Sequence, residues 1–360
     1  MLFDVVEGSL GYADDVRVFI VDKPLGLTSH DVVGRARRLL GTRRVGHAGT
    51  LDPLAVGVLV LLVDEGTKLA PFLSGSDKTY LAWVALGVGT PTLDAEGPIE
   101  ASADADHLDA AAVEAALPAF LRLREQRPPA YSAVQRGGER AYAAARRGER
   151  VELPPRPARY HRLELLAFLP SEASAASIIA RDERGWRLAT AGEAAASAEA
   201  AGSGSAGATA GEAATAAAAT AAPPTRRLSL PQPLAPSPLA LIRLRVAAGT
   251  YVRAFARDLG AALGVPAHLR ALVRTAAGSA DLAQAVPLEA LQDAAPIDPL
   301  TLLPYPQVTL DDMTARAVRD GKRPPAAFQG RAALVDPDGA LVAIADAVEG
   351  RVRSQRVWRS

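Results

Sequence analysis

Hydrophobic and polar positions follow two different rhythms along the chain. "VRVFIVDKP" predicts a strand that Pro24 ends, and "LGLTSHD" after it reads as a loop. In "TSHDVVGRARRLLG" the apolar positions Val32, Val33, Ala36, Leu39 and Leu40 share one helical face, which leaves Arg35 and Arg38 pointing away from the core. Thr28 with Asp31 three residues on resembles a capping box, and Gly41 suits a C-cap. "VGVLVLLV" reads as a buried strand and "KTYLAWVALGV" as another. "YHRLELLAFLP" and "LALIRLRVAAGTYV" are strands, and "VRAFARDLGAALG" is a helix with a glycine stop. From about residue 299 the tail alternates strands with the turn Asp336-Pro337-Asp338-Gly339, which suits a small β-rich module.

Between the two central strand patterns the rhythm is lost. Residues 171–237 are mostly Ala, Ser, Gly, Thr and Pro, with no recurring apolar stripe. Alanine favours helix, but glycines and prolines interrupt the run, so the expectation is a mostly disordered or at best transiently helical insertion. Strands on both sides predict that it splits a hairpin of one domain rather than separating two. The expected organisation is therefore α/β (α+β), with one domain over 1–170 and 238–298, the insertion over 171–237, and the small module over 299–360.

Composition narrows the chemistry. The chain has 360 residues, 49% of them hydrophobic, enough for a sizeable core. Lys and Arg number 40 and Asp and Glu number 40, so the protein is not basic all over; nucleic-acid binding then depends on where the charge lies. There is no cysteine, and the 5 histidines show no HxxxH or HExxH spacing, which argues against disulfides and a catalytic zinc. "MLFDVVEGSLGYADD" is acidic and lacks a basic n-region, and no apolar run is long enough to span a bilayer. The expectation is a soluble, cytoplasmic protein with no membrane partner.

One carboxylate stands out. In "GHAGTLDPLAVGVL" Asp52 is the lone charged side chain of a glycine-punctuated turn. Asp-Pro is a common turn starter, so turn chemistry alone explains an Asp met blind. Gly46 and Gly49, however, let backbone approach a ligand closely. Between Asp31 and Asp52 lie Arg35, Arg37, Arg38, Arg43 and Arg44 with no acid, either a solvated face or a phosphate-tracking edge running into His47. Tyr80 in "SDKTY" is either core or a platform for stacking a base.

The ordered stretches "VDKPLGLTSHDVV", "RRVGHAGTLDPLAVGVLVLLVDEGTKLAPFLSGSDKTYLAWVALGVGTPTLDAEG", "QRPPAYSAVQRGGERAYAAARRGE", "GTYVRAFARDLGAALG" and "AHLRALVRTAAG" resemble the bacterial TruB family, tRNA pseudouridine synthases that modify the T-loop uridine. The tail is similar to that family's small RNA-binding module, of PUA type. The resemblance implies a mixed, mostly antiparallel β-sheet with flanking helices cleaved by a basic groove. It implies Asp52 as the essential aspartate, Tyr80 as the residue stacking on uracil, and Arg253 as the arginine paired with the aspartate. Tyr251 matches the aromatic beside that arginine, Leu272 an apolar wall of the uracil pocket, and His47 a histidine that remodels the loop. Arg43 and Arg44 would hold phosphates, and Gly46 and Lys23 complete the substrate-binding set. Gln135 departs from the lysine usual in the family's "PPxYSAxK" block, and the insertion is also unusual.

The implied reaction breaks C1′–N1, turns the uracil and joins C1′ to C5. Nothing is oxidised and nothing leaves, so neither cofactor nor metal is expected. Flipping the nucleotide costs a few kcal/mol, against about 1–3 kcal/mol returned by stacking on an aromatic. A carboxylate in a partly dry pocket needs a neighbouring cation that cannot lose its proton, and Arg253 would supply it. The residues leave open whether the aspartate attacks the sugar, attacks the uracil or removes a 2′ proton to give a glycal; the family's chemistry leans to the last. The expected partner is the T stem-loop of tRNA, bound by a monomer without a protein partner. Two rivals remain: a non-catalytic RNA-binding protein on the same scaffold, and a hydrolase needing a second carboxylate. Asp94 in "TLDAEG" is the nearest candidate for that carboxylate, although its turn-like setting favours a structural role.

Overall fold

The computed structural model describes residues 16–132, 135–136, 139–140, 147, 153–170, 177–195 and 225–358. The acidic N-terminal stretch and most of the alanine-rich segment (196–224) lie outside the described residues.

The first strand, β1 (Val16–Lys23), ends at Pro24, which has no N–H to give a ladder. Helix α1 (Ser29–Leu39) follows. Thr28 Oγ1 accepts from the Asp31 N–H at 3.0 Å and the Asp31 carboxylate accepts from the Thr28 N–H at 2.9 Å, the expected capping box. Its buried Val32, Val33 and Ala36 pack on Phe19, Leu59 and Leu61, while Arg35 and Arg38 face solvent.

The central sheet is then built by β2 (Val45–His47), β3 (Ala55–Asp64), β4 (Lys78–Leu86), β5 (Tyr160–Leu169), β9 (Leu239–Val246), β10 (Ala267–Ala277), β11 (Ala280–Asp281) and β12 (Val286–Pro287), together with β1. The strand order is β5-β9-β4-β10-β3-β1-β12, with β2 on β3 and β11 on β10. All pairs are antiparallel except β1–β12 and β3–β10. Both faces of the sheet are covered, which is why β3 reads as an unbroken apolar run. One face carries α2 (Ala110–Arg122) and α3 (Val252–Ala262), through Val113, Leu117, Phe120, Phe255 and Leu259.

The expected disorder of 171–237 needs correction. Residues within it form β6 (Ile178–Asp182), β7 (Gly185–Leu188) and β8 (Thr225–Arg227), a three-stranded sheet in the order β7-β6-β8. This sheet packs Ile179 and Trp186 onto the second face of the central sheet, beside Leu81, Trp83 and Leu241. Composition averaged over the segment hid "SIIARDERGWRLA", a short apolar hairpin with its own turn. The flanking strands pair as expected for a split hairpin: β5 and β9 run antiparallel from Tyr160↔Val246 to Leu169↔Leu239.

The tail forms β13 (Gln307–Thr309), α4 (Asp312–Arg319), β14 (Arg331–Val335), β15 (Leu341–Val348) and β16 (Arg351–Val357), in sheet order β13-β14-β15-β16. At the predicted turn Gly339 donates to Asp336 O at 3.0 Å, and the Ala340 N–H donates to the Asp336 carboxylate at 2.8 Å. Val335, Ile344 and Trp358 of this region join the apolar cluster of the central sheet's second face.

Candidate active site

Asp52 lies in the loop between β2 and β3, and buried donors hold that loop from below. The Arg274 guanidinium, on β10, donates through Nε to Val58 O at 2.6 Å, through Nη1 to Thr50 O at 3.3 Å and through Nη2 to Gly49 O at 3.0 Å. Ser29 Oγ accepts from the Leu51 N–H at 2.8 Å and lies 3.1 Å from Leu51 O. Lys23 Nζ donates to Pro24 O, Leu27 O and Pro53 O at 2.9, 2.6 and 3.3 Å, and the Gly26 N–H donates to Pro53 O at 2.9 Å. Gly49 has φ +102° and lies over Lys78 and Arg274, so a side chain there would be strained.

Arg253 reaches this loop from the first turn of α3. Its Nε lies 2.8 Å from Asp52 Oδ2. Nη1 donates to Thr92 O at 3.1 Å and lies 3.4 Å from Asp94 Oδ2, while Nη2 donates to Tyr131 O at 3.0 Å. The Arg253 side chain is only 7% exposed, whereas that of Asp52 is 38% exposed. The guanidinium is thus fixed inside the protein and presents one partly exposed carboxylate. Asp94 is buried, and burial pushes its carboxyl above the ordinary range against the pull of the Thr92 hydroxyl and Arg253.

Apolar walls stand beside the pair. Leu272 on β10 registers with Ala55 on β3 and Ala82 on β4, and Tyr80 registers with Arg274. Leu51, Leu54, Ala55, Tyr80 and Leu272 belong to one buried cluster. Tyr251 is the half-buried N-cap of α3, and burial pushes its phenol up. His47 closes β2; burial and then the Arg274 charge push its imidazole down, toward the neutral form.

The fold therefore pairs Asp52 with Arg253, sets Tyr251 where it feels the Asp52 charge, and puts Tyr80 and Leu272 in the cluster of Leu51 and Leu54; His47 is linked to this loop through Arg274. Two expected substrate contacts are corrected. Lys23 is 0% exposed and its ammonium serves three carbonyls, so it braces the loop from within rather than presenting a free ammonium to a substrate. Burial lowers its pKa to about 8. Gly46 sits within β2 without a positive φ, and a Cβ there would meet only Thr67 Cγ2 at 3.9 Å, so close approach does not require glycine. Arg43 and Arg44 are exposed; Arg44 pairs with Glu65, which also takes Lys68. Gln135 falls in the short strand Gln135–Arg136.

Sequence reasoning missed Arg274 and Ser29. It gave Asp94 a turn role, which Thr92 Oγ1 at 2.6 Å and the Glu96 N–H at 3.1 Å fulfil, but no local pattern joined Asp94 to Arg253. Among the described residues no group of three or more His, Asp or Glu is placed to hold a metal ion, and no helix is long and apolar enough to cross a membrane.

Comparison with known proteins places the chain in a family. The profile described as TruB family pseudouridylate synthase (N terminal domain) matches residues 37–182, and that described as tRNA pseudouridylate synthase B C-terminal domain matches residues 253–298. A protein of Deinococcus radiodurans named tRNA pseudouridine synthase B is 47% identical over 341 residues, covering 95% of this chain and 99% of its own. One of the same name from Thermus thermophilus is 48% identical, covering 95% of this chain and 98% of its own. Among solved structures, a Cbf5–Nop10–Gar1 complex aligns with TM-score 0.59 at 21% identity, over 95% of this chain and 84% of the other. That last likeness concerns the fold alone.

Proposed function

The chain belongs to the TruB family of pseudouridylate synthases, an isomerase family, and from there we propose that it converts the T-loop uridine of tRNA to pseudouridine with Asp52 as the reactive group. The observation that carries this reading is the 2.8 Å ion pair that fixes a partly exposed Asp52 on a buried Arg253, next to apolar walls.

In this reading the nucleotide leaves its stack and enters the cleft, where Tyr80 takes its face and Leu272 its edge. His47 and Tyr251 line the entrance, and Arg43 and Arg44 meet the RNA backbone with a salt-dependent contribution. Asp52 accepts the 2′ proton as the C1′–N1 bond breaks, leaving a glycal and a uracil anion. The anion is retained by the apolar walls and turns. C5 then bonds to C1′ as Asp52 returns the proton to C2′, and the proton on C5 passes to N1. Atoms and charge balance with no co-reactant. Arg253 holds the carboxylate in place throughout. The enzyme acts as a single chain in this scheme.

The test uses unmodified tRNA and maps where uridine changes. The parent converts the T-loop uridine. Asp52→Asn binds the RNA with parental affinity but loses about 10²–10⁴-fold in rate, the range for removing a general base. Appreciable product from Asp52→Asn overturns the assignment of Asp52. Conversion at another uridine overturns the T-loop assignment alone, and binding without conversion by the parent would favour a non-catalytic RNA-binding protein.

A further inference from the structure

Helix α3 carries both Tyr251 and Arg253, yet its start lacks an ordinary cap. Tyr251 stands at the N-cap and makes no side-chain cap hydrogen bond. A capping Ser, Thr or Asp there would satisfy the helix locally, but an aromatic cannot. The backbone of that residue is instead held from outside the helix.

Gln126 does this holding. It is 5% exposed and belongs to the short strand Glu125–Gln126, which pairs with Arg156–Pro157. Its Oε1 accepts from the Tyr251 N–H at 3.0 Å, and its Nε2 donates to Tyr251 O at 3.0 Å. The same Nε2 donates to the Tyr160 hydroxyl at 2.6 Å. One amide thus grips both polar groups of a single backbone residue, which fixes its rotation as well as its position. The segment that follows continues the attachment. Arg257 Nη2 donates to Arg127 O at 3.1 Å, and Arg253 Nη2 donates to Tyr131 O at 3.0 Å. Contacts at Gln126, Arg127 and Tyr131 tie this segment to Tyr251, Arg257 and Arg253 of the first half of α3.

We infer that Gln126 is a positioning residue for the reaction: its bidentate grip on the Tyr251 backbone sets the angle at which Arg253 meets Asp52 and Tyr251 faces the cleft. The inference rests on the reading of Asp52 and Arg253 as the working pair. A merely structural Gln126 would support the fold without setting that angle. A displacement of about 1 Å at a reacting group can cost about 10²-fold in rate, so a small rotation of α3 is enough to matter.

The test compares Gln126→Met, which keeps length but loses both polar atoms, with Gln126→Glu, which keeps an oxygen facing the Tyr251 N–H and loses the donor to Tyr251 O. Each is measured for kcat and KM on unmodified tRNA, and for thermal unfolding. The expected order of kcat is parent, then Gln126→Glu, then Gln126→Met, the last down about 10- to 100-fold, with KM within about twofold. In an Arg253→Lys background, Gln126→Met should cost little more, because the guanidinium it positions is already gone. A readout independent of activity is the ¹⁵N resonance of the Arg253 Nε–H, identified by its loss in Arg253→Lys; it should move in Gln126→Met. A folded Gln126→Met with parental kcat, an undiminished loss in the Arg253→Lys background, or an unmoved Arg253 resonance overturns the inference. So does failure of both variants to fold, which makes Gln126 structural. An inactive parent sinks the functional reading, and the resonance alone then decides the grip.

Discussion

Arg274 illustrates how a buried residue beneath the reactive loop can govern it. Its guanidinium is buried and serves Gly49, Thr50 and Val58, carbonyls that bracket the Asp52 loop. Lysine has one nitrogen on a flexible stem and cannot span that fork of acceptors. Arg274→Lys is expected to lose about 1–3 kcal/mol of stability from unsatisfied carbonyls and about tenfold or more in pseudouridine formation, since the loop that carries Asp52 loses its floor. Denaturant unfolding and single-turnover rates check the two effects separately. Gly57 adds to the same floor: its φ is +96°, and a Cβ would collide with Arg274 O, so β3 and β10 come together only over a bare backbone.

At the scale of elements, the three-stranded sheet decides what the inserted segment does. Trp186 is 3% exposed, and its indole N–H donates to the Asp281 carboxylate at 3.2 Å. Arg226 on β8 pairs with Asp22 at 2.8 Å and donates to Leu282 O and Ala285 O at 3.1 and 2.6 Å. These strands are part of the core's cover, whereas the alanine-rich text between them has no apolar stripe to bury. Excising 196–224 with a short linker should leave the melting temperature and the rate close to parental. Trp186→Ala should cost about 3–5 kcal/mol, and removing 175–235 should cost more, both read by thermal unfolding. Equal behaviour of the two deletions would show the small sheet to be dispensable.

For the whole molecule, balanced charge and shared burial matter most. The tail is fastened to the central unit by Trp358, whose indole N–H donates to Glu65 O at 3.1 Å, and by Lys68 Nζ donating to Val357 O at 3.0 Å. Phe72 and Tyr305 meet edge to face across the same junction, 6.2 Å between centroids. With 40 basic and 40 acidic side chains, long-range repulsion near neutrality is small, and pH dependence falls to buried groups. His268 is one: its Nδ1 donates to Val88 O at 2.8 Å, and burial chiefly pushes its pKa below 6.5, with Asp94 opposing and Arg270 adding to the shift. The unfolded chain therefore binds the proton first. The stability is fully present above pH 6.5 and is lost as pH falls below 6.5 toward the depressed folded value. His268→Asn keeps a donor for Val88 O and cannot titrate, so its unfolding free energy should fall less steeply over that acid window. Parallel slopes for parent and variant would contradict the assignment.

The sequence by itself determined β1, β3, β4, β5, β9, α1 and α3, the split hairpin, the turn of the tail and the family; it did not show α2 or β10, the strand that carries Leu272 and Arg274. Each feature it did show depends on neighbouring residues: apolar period, a Thr28–Asp31 cap, a proline stop, or ordered blocks of text. It also singled out Asp52, because a lone acid between glycines is visible locally. The resemblance already paired that acid with Arg253; only the tertiary structure decided what braces the pair. Arg274, Lys23 and Gln126 act on backbone carbonyls or N–H groups, and a backbone group looks the same under every side chain, so the partner leaves no mark in the sequence. The contact between Asp94 and Arg253 escaped for a related reason: it closes only when β4, β10 and α3 pack together, and no local pattern records that meeting.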